Sequence, residues 1–233
     1  AACLSRVSPR WSGLMRVLHV IHRFPYFGGR TIVGGSASAL LTLVLAQQAA
    51  GDEVVILSNT PGRIGTFNID GGPRVVSLLG EGGGRTVGFA LSFVWHAYRW
   101  LRARRREFDV IHVHSGHAEY ALLAAQLRRV SGLPTLYSLY CPINPAGRVS
   151  RPFVRTFFRW CGNSIENRCG ISNNVRDSMI DYGFHPVDCI RPALDLERFA
   201  PSIAGGSSLR AELGISPESV AVLFVGNATP QKN

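Results

Sequence analysis

The stretch MRVLHVIHRFPYFGGRTIVGGSASALLTLVLAQQAAGDEVVILS, residues 15–58, decides the fold. It opens on a short, nearly continuous apolar run, MRVLHVIH at 15–22, and closes on another, EVVILS at 53–58. Runs of this kind, rich in β-branched residues and without polar alternation, mark strands buried on both faces of a parallel sheet. Between them Ser36 is placed to cap an apolar helix over about 37–50, which Gly51 ends. Strand, helix, strand in that order is a βαβ unit, whose crossover is right-handed.

The same alternation continues outward. A third strand is predicted at 75–79, then a glycine-rich loop at 80–84 and a long helix over about 87–106. DVIHVH at 109–114 is a further buried strand, followed by a helix over about 118–130, and PTLYSLY at 134–140 is again strand-like. A basic helix at 150–160, a strand at 169–172, a helix at 174–182 and a strand at 187–191 complete the series. Strands separated by helical segments of this length predict an α/β fold with a doubly wound, Rossmann-like parallel sheet. Residues 1–14 show neither period and read as a disordered or untranslated leader, with Met15 as the natural start. Residues 15–200 then form one domain and 201–218 a linker. Residues 219–233, with the apolar run VAVLFV at 220–225, read as the start of a truncated second domain.

Composition narrows the class. A hydrophobic fraction of 46% supports a sizeable core, and no apolar run reaches the roughly 20 residues that span a bilayer. The five cysteines (Cys3, Cys141, Cys161, Cys169, Cys189) are odd in number and form no CxxC pair, which fits reduced thiols in a cytoplasmic protein. The formal charge is +10, carried almost wholly by arginine, since Lys232 is the only lysine. Such a charge favours anionic partners: phosphates, acidic lipids or nucleic acid.

Three segments carry candidate chemistry. The loop at 28–35 joins the first strand to the first helix, at the carboxyl edge where open α/β sheets bind ligands. Glycines there let the backbone approach a phosphate, and helix amides favour its charge; a tight turn alone is the competing reading. The spacing GGRTIVGG is not GxGxxG, and Ser58 and Asn59 stand where a dinucleotide site has a carboxylate, so NAD is disfavoured. In HVHSGH, His112 and His114 alternate on the strand and point the same way. His114, nearer the carboxyl end, is expected at the cleft and His112 deeper, with a structural role as the alternative. No carboxylate or cysteine stands at ligand spacing, so no metal is expected. Finally, Arg151, Arg155 and Arg159 form an i, i+4, i+8 stripe beside Phe153, Phe157, Phe158 and Trp160, which fits docking on an anionic membrane. The alternative is a solvated face with its aromatics in the core. Arg99, Arg102 and Arg104 to Arg106 add a second basic cluster.

A strand, an aromatic-Pro loop, a Gly-Gly pair and an apolar helix before EVVILS resemble the opening of family 4 glycosyltransferases of the GT-B fold. FDVIHVHSG at 108–116 resembles that family's strand ending in H-x-H, and CGISNNVRDSMIDYGF at 169–184 its strand–helix with a serine and a later glycine. IRPALDLERFAP at 190–201 resembles the segment before its interdomain linker, and VLFVGNATPQKN at 222–233 the opening of its donor domain. The resemblance implies the N-terminal, acceptor-side half of a two-domain enzyme. It implies transfer of a sugar from a nucleotide-diphosphate-sugar to a glycan or lipid-linked acceptor, with retention, in polysaccharide or glycoconjugate synthesis. It places Gly34 and Gly35 against the donor diphosphate, His114 at the reacting sugar, and Lys232 on the leaving diphosphate. Asn227 stands where the family has an arginine in the same diphosphate site, Tyr140 where many members have histidine, and Ala193 where glycine is usual. Tyr140 and His117 fall on the acceptor side. The family's paired donor-domain glutamates would follow Asn233, so the polypeptide alone is expected not to turn over.

No cofactor is implied, the nucleotide-sugar being substrate, and a cytoplasmic site with peripheral contact at the inner face of the membrane is expected. A non-enzymatic basic module binding nucleic acid or another anionic ligand is the alternative. It is disfavoured because no motif of a known nucleic-acid fold appears and the glycine loop would have no role; nucleic acid is not an expected partner.

Overall fold

Thirteen regular elements are distributed along the computed structural model, which describes residues 13–27, 32, 34–69, 71–80, 87–194, 209–216 and 218–222. They are β1 (Arg16–Ile21), α1 (Gly35–Ala49), β2 (Glu53–Ser58), β3 (Gly65–Asn68), β4 (Arg74–Ser77), α2 (Val87–Arg104), β5 (Val110–Ser115), α3 (Ala121–Ser131), β6 (Thr135–Leu139), α4 (Pro152–Asn163), β7 (Asn167–Gly170), α5 (Asn173–Tyr182) and β8 (Asp188–Cys189). The strands make one eight-stranded sheet in the order β3-β4-β2-β1-β5-β6-β7-β8. Every neighbouring pair is parallel except β3–β4. From β1 the chain winds first through β2 and β4 to one side, then returns to β5 and winds through β6 to β8 on the other. The order therefore reverses between β1 and β5, and the carboxyl ends of those strands form the switch point at which open α/β sheets hold ligands.

Side-chain alternation explains why helices cover both faces. Leu18 and Val20 of β1 join Val55, Leu57, Ile111, Val113, Tyr137 and Leu139 in a core closed by Phe93, Ala97 and Leu101 of α2 and by Leu123, Ala124 and Leu127 of α3. On the opposite face Ile21, Val54, Ile56 and Val75 meet Ala37, Leu40, Leu41 and Val44 of α1, an i, i+3, i+4, i+7 stripe. Each fully buried Leu, Ile or Val contributes about 1.5–3 kcal/mol. At the amino edge Asp109 accepts from both the backbone and the guanidinium of Arg16, at 2.9 and 2.7 Å, which ties β1 to the start of β5.

Several local expectations are corrected. Ser36 does not cap α1: the helix begins at Gly35, with Gly34 as N-cap at φ 107° and no side-chain cap. The positive φ turns the chain into the helix before Ser36 is reached. The edge strand β3 is an addition that the sequence does not announce, because GTFN pairs on one side only and carries no buried alternation. Residues 220–222 are not strand, and the rest of the run at 220–225 lies outside the described residues. The chain divides after Leu194 into two units, and residues 209–212 of the second form a helical turn. Among the described residues no helix is long and apolar enough to cross a membrane, and Cys141, Cys161, Cys169 and Cys189 are free thiols.

Candidate active site

Parallel pairing of two apolar strands, each carrying histidine, builds the centre of the site. The register sets His19 of β1 beside His112 of β5, so His19, His112 and His114 emerge on one face of the sheet. The rings of His112 and His114 lie 3.8 Å apart between centroids, and that of His19 lies 5.1 Å from His114. His19 Nδ1 and His114 Nε2 are 2.9 Å apart, His19 Nε2 is 2.8 Å from Gln47 Oε1 of α1, and His114 Nδ1 is 3.0 Å from the Tyr140 hydroxyl. A second branch joins His112 Nε2 to Ser138 Oγ at 2.6 Å, and Ser138 Oγ to Cys169 Sγ at 2.9 Å.

Burial sets the charge states. His19 is fully buried and pushed down to about 4, mainly by desolvation and against the raising effect of its bond to Gln47. Desolvation, aided by neighbouring imidazoles, holds His112 and His114 well below the usual histidine value. The three rings are therefore neutral at pH 7. Burial raises the Tyr140 hydroxyl to about 12 and the Cys169 thiol to about 11, so both keep their protons. One ring nitrogen from each of His19, His112 and His114 comes within 4.8 Å of the others, a spacing open to a metal ion. As folded, His19 and His114 use both ring nitrogens in hydrogen bonds and His112 uses Nε2. A cation would have to break the His19–His114 contact to enter.

The site residues expected from sequence fall as follows. His114 does lie at the end of β5 but is 1% exposed, while His112 is only half-buried, so the expected order of depth is reversed. The half-buried Tyr140, one residue past β6, meets the edge of the His114 imidazole through its hydroxyl and is held by its N–H to Ser115 O at 2.7 Å. His117 is exposed; its N–H donates to Ser115 Oγ at 2.9 Å and its carbonyl accepts from Tyr137, fixing the β5–α3 turn. Gly34 and Gly35 are exposed at the start of α1, and a Cβ built on either meets none of the described residues within 4 Å. The structure thus brings His114, Tyr140 and the His117 turn together and sets the glycine pair on the adjoining β1–α1 connection. Lys232 and Asn227 lie outside the described residues.

The arginine stripe is also revised. Arg155 donates to the carbonyls of Tyr182 and Asp181 at 3.0 and 2.5 Å, clasping α4 to α5, whereas Arg151 and Arg159 are exposed. The aromatics Phe153, Phe157 and Trp160 are not in the core: they are 92%, 46% and 67% exposed. Sequence reasoning passed over His19, Gln47, Ser138 and Cys169. The available signal was a histidine inside each of two strands expected in the same parallel sheet.

Residues 33–198 match the model of Glycosyltransferase Family 4. A D-inositol 3-phosphate glycosyltransferase of Streptomyces bingchenggensis is 28% identical over 143 residues, which is 57% of this chain and 31% of the relative. The Anabaena protein HepE, solved in complex with UDP and glucose, superposes with a TM-score of 0.56 at 15% identity, over 86% of this chain and 50% of HepE. UDP-N-acetylglucosamine 2-epimerase from Rickettsia bellii superposes at 0.53 with 12% identity, over 88% of this chain and 52% of the other. The chain thus spans about a third of its curated relative and half of these solved chains. The eight-stranded Rossmann-like sheet is that of one half of a GT-B chain, and, with its matched segment running from the α1 start through the histidine strand to α5, the chain belongs to glycosyltransferase family 4.

Proposed function

We propose that this chain is the acceptor-side half of an enzyme that moves a sugar from a nucleotide-diphosphate-sugar to a glycan or lipid-linked acceptor, with retention and without a resident metal. The observation that carries the reading is the coincidence of the family match with the residues gathered at the switch point between β1 and β5. In the reaction the anomeric C–O bond to phosphate breaks, the acceptor hydroxyl oxygen bonds to the anomeric carbon, and the nucleoside diphosphate leaves with the electron pair and takes up the proton that the acceptor hydroxyl loses. Charge grows on that diphosphate. The amides at the start of α1, beside Gly34 and Gly35, are the groups of this domain suited to it. Lys232 and Asn227, which lie outside the described residues, are assigned to the same diphosphate by the family resemblance alone. Tyr140, backed by His114, faces the sugar, and His117 lies on the acceptor side. The hydrogen bonds that occupy both ring nitrogens of His19 and His114, and Nε2 of His112, support the metal-free reading.

A lipid-linked acceptor fits the outer face of α4, where Phe153, Phe157 and Trp160 are exposed along with Arg151 and Arg159. Aromatic rings flanked by cations suit the interface of an anionic bilayer. Replacing Phe153 and Trp160 together by serine is expected to abolish co-sedimentation with phosphatidylglycerol vesicles at unchanged thermal stability; undiminished co-sedimentation removes the membrane from the proposal.

Transfer itself is tested by incubating the full-length protein with UDP-hexoses and a panel of sugar and polyprenyl-linked acceptors. Acceptor-dependent release of UDP with an equal amount of glycosylated product is the expected result. Conversion of the donor to its epimer, or hydrolysis independent of every acceptor, would assign the fold a different reaction.

A further inference from the structure

Gln47, His19, His114 and Tyr140 form one unbranched line of hydrogen bonds, 2.8, 2.9 and 3.0 Å long, from α1 through two buried imidazoles to the carboxyl edge. Each neutral imidazole has one N–H and one lone pair, so the direction of one bond fixes all the others. The Gln47 carboxamide oxygen faces His19 and can only accept, so His19 carries its proton on Nε2 and accepts at Nδ1. His114 must then donate from Nε2 and accept at Nδ1, and the Tyr140 hydroxyl must donate inward. The oxygen of Tyr140 is left with lone pairs to offer outward. Were the amide reversed, every bond would reverse and Tyr140 would offer a proton instead.

We propose that Gln47 and His19 are positioning residues that set the polarity of this line, so that Tyr140 presents the cleft with a hydrogen-bond acceptor for a sugar hydroxyl. The proposal rests on the transferase reading only for the identity of that hydroxyl; the line and its direction stand apart from it. Its middle members are shielded from water, which leaves the protein as the source of tautomer control. His112 belongs to the separate branch through Ser138 and Cys169.

The test is long-range ¹H–¹⁵N correlation of the histidine rings in the ¹⁵N-labelled 233-residue chain at pH 7. His19 and His114 are expected as Nε2–H tautomers. Gln47→Leu, which removes the anchor, is expected to give mixed tautomers at both, and Gln47→Glu, which can only accept, to retain Nε2–H. A wild-type His114 protonated on Nδ1, or tautomers indifferent to Gln47→Leu, would overturn the proposal. So would an equimolar addition of Zn²⁺ that shifts the nitrogens of all three rings, since the cluster would then be a metal site. In the full-length enzyme Gln47→Leu is expected to lower kcat about tenfold with donor KM unchanged and Gln47→Glu to restore it; unaltered kcat would leave the line without a positioning role. A wild-type protein inactive with every donor, but with the expected tautomers, would refute the transferase reading and not the line.

Discussion

Gly35 carries no positive φ and has open space among the described residues where a Cβ would stand, so none of those residues requires glycine there. Gly34 differs, because φ 107° strains any L side chain. Gly35→Ala therefore separates folding from ligand approach. Its urea midpoint is expected to match wild type within about 0.5 kcal/mol, while KM for the donor rises at least tenfold because the methyl group meets the diphosphate. An unchanged KM would move the diphosphate elsewhere. The glycine pair and His114 were legible in the sequence because loop position and residue type announce them. The role of His114 was not fully legible. Periodicity shows which way a strand residue points, but not that the hydroxyl of Tyr140, from the neighbouring strand's end, meets it. His19 was hidden by the apolar run around it.

At the level of elements, α4, β7 and the β7-side loops are joined by one buried cation. Arg168, 3% exposed, donates to the carbonyls of Gly162, Ile165, His185 and Pro186, and desolvation lowers its pKa. Arg168→Met keeps most of the volume but strands the carbonyl oxygens of Ile165, His185 and Pro186, while Gly162 O keeps the Ile165 N–H, and is expected to cost about 3 kcal/mol in chemical denaturation; a loss below about 1 kcal/mol would show that water or relaxation satisfies them. The sequence marked this arginine only as one of many, since nothing local distinguishes a clasping cation from a solvated one. The same ambiguity hid the use of Arg155 in the α4–α5 contact. The parallel strands were legible because burial on both faces leaves an unbroken apolar run. The edge strand β3, paired on one side, leaves no such trace.

For the whole molecule, the buried histidines tie stability to pH. His19 and His22 are lowered to about 4, and His112 and His114 well below 6.5, chiefly by desolvation. The unfolded chain takes up protons near pH 6.5 that the folded chain refuses, so this contribution is complete above 6.5 and is lost as pH falls toward 4. Each such histidine changes stability by about 1.4 kcal/mol per pH unit within that window. The urea midpoint is expected to be level from pH 8 to 7 and to drop steeply from 6.5 to 4.5; a midpoint flat across that range would mean the histidines are hydrated. The central claim, that the carboxyl edge between β1 and β5 is the wall of a nucleotide-sugar cleft, is tested most directly by amide hydrogen exchange of the full-length protein with and without saturating UDP-glucose. Added protection at residues 34–38 and 115–117 is the expected result. Protection confined to the α2–α3 groove around Leu91, Trp95, Leu122 and Arg129, with those two segments unchanged, would contradict it.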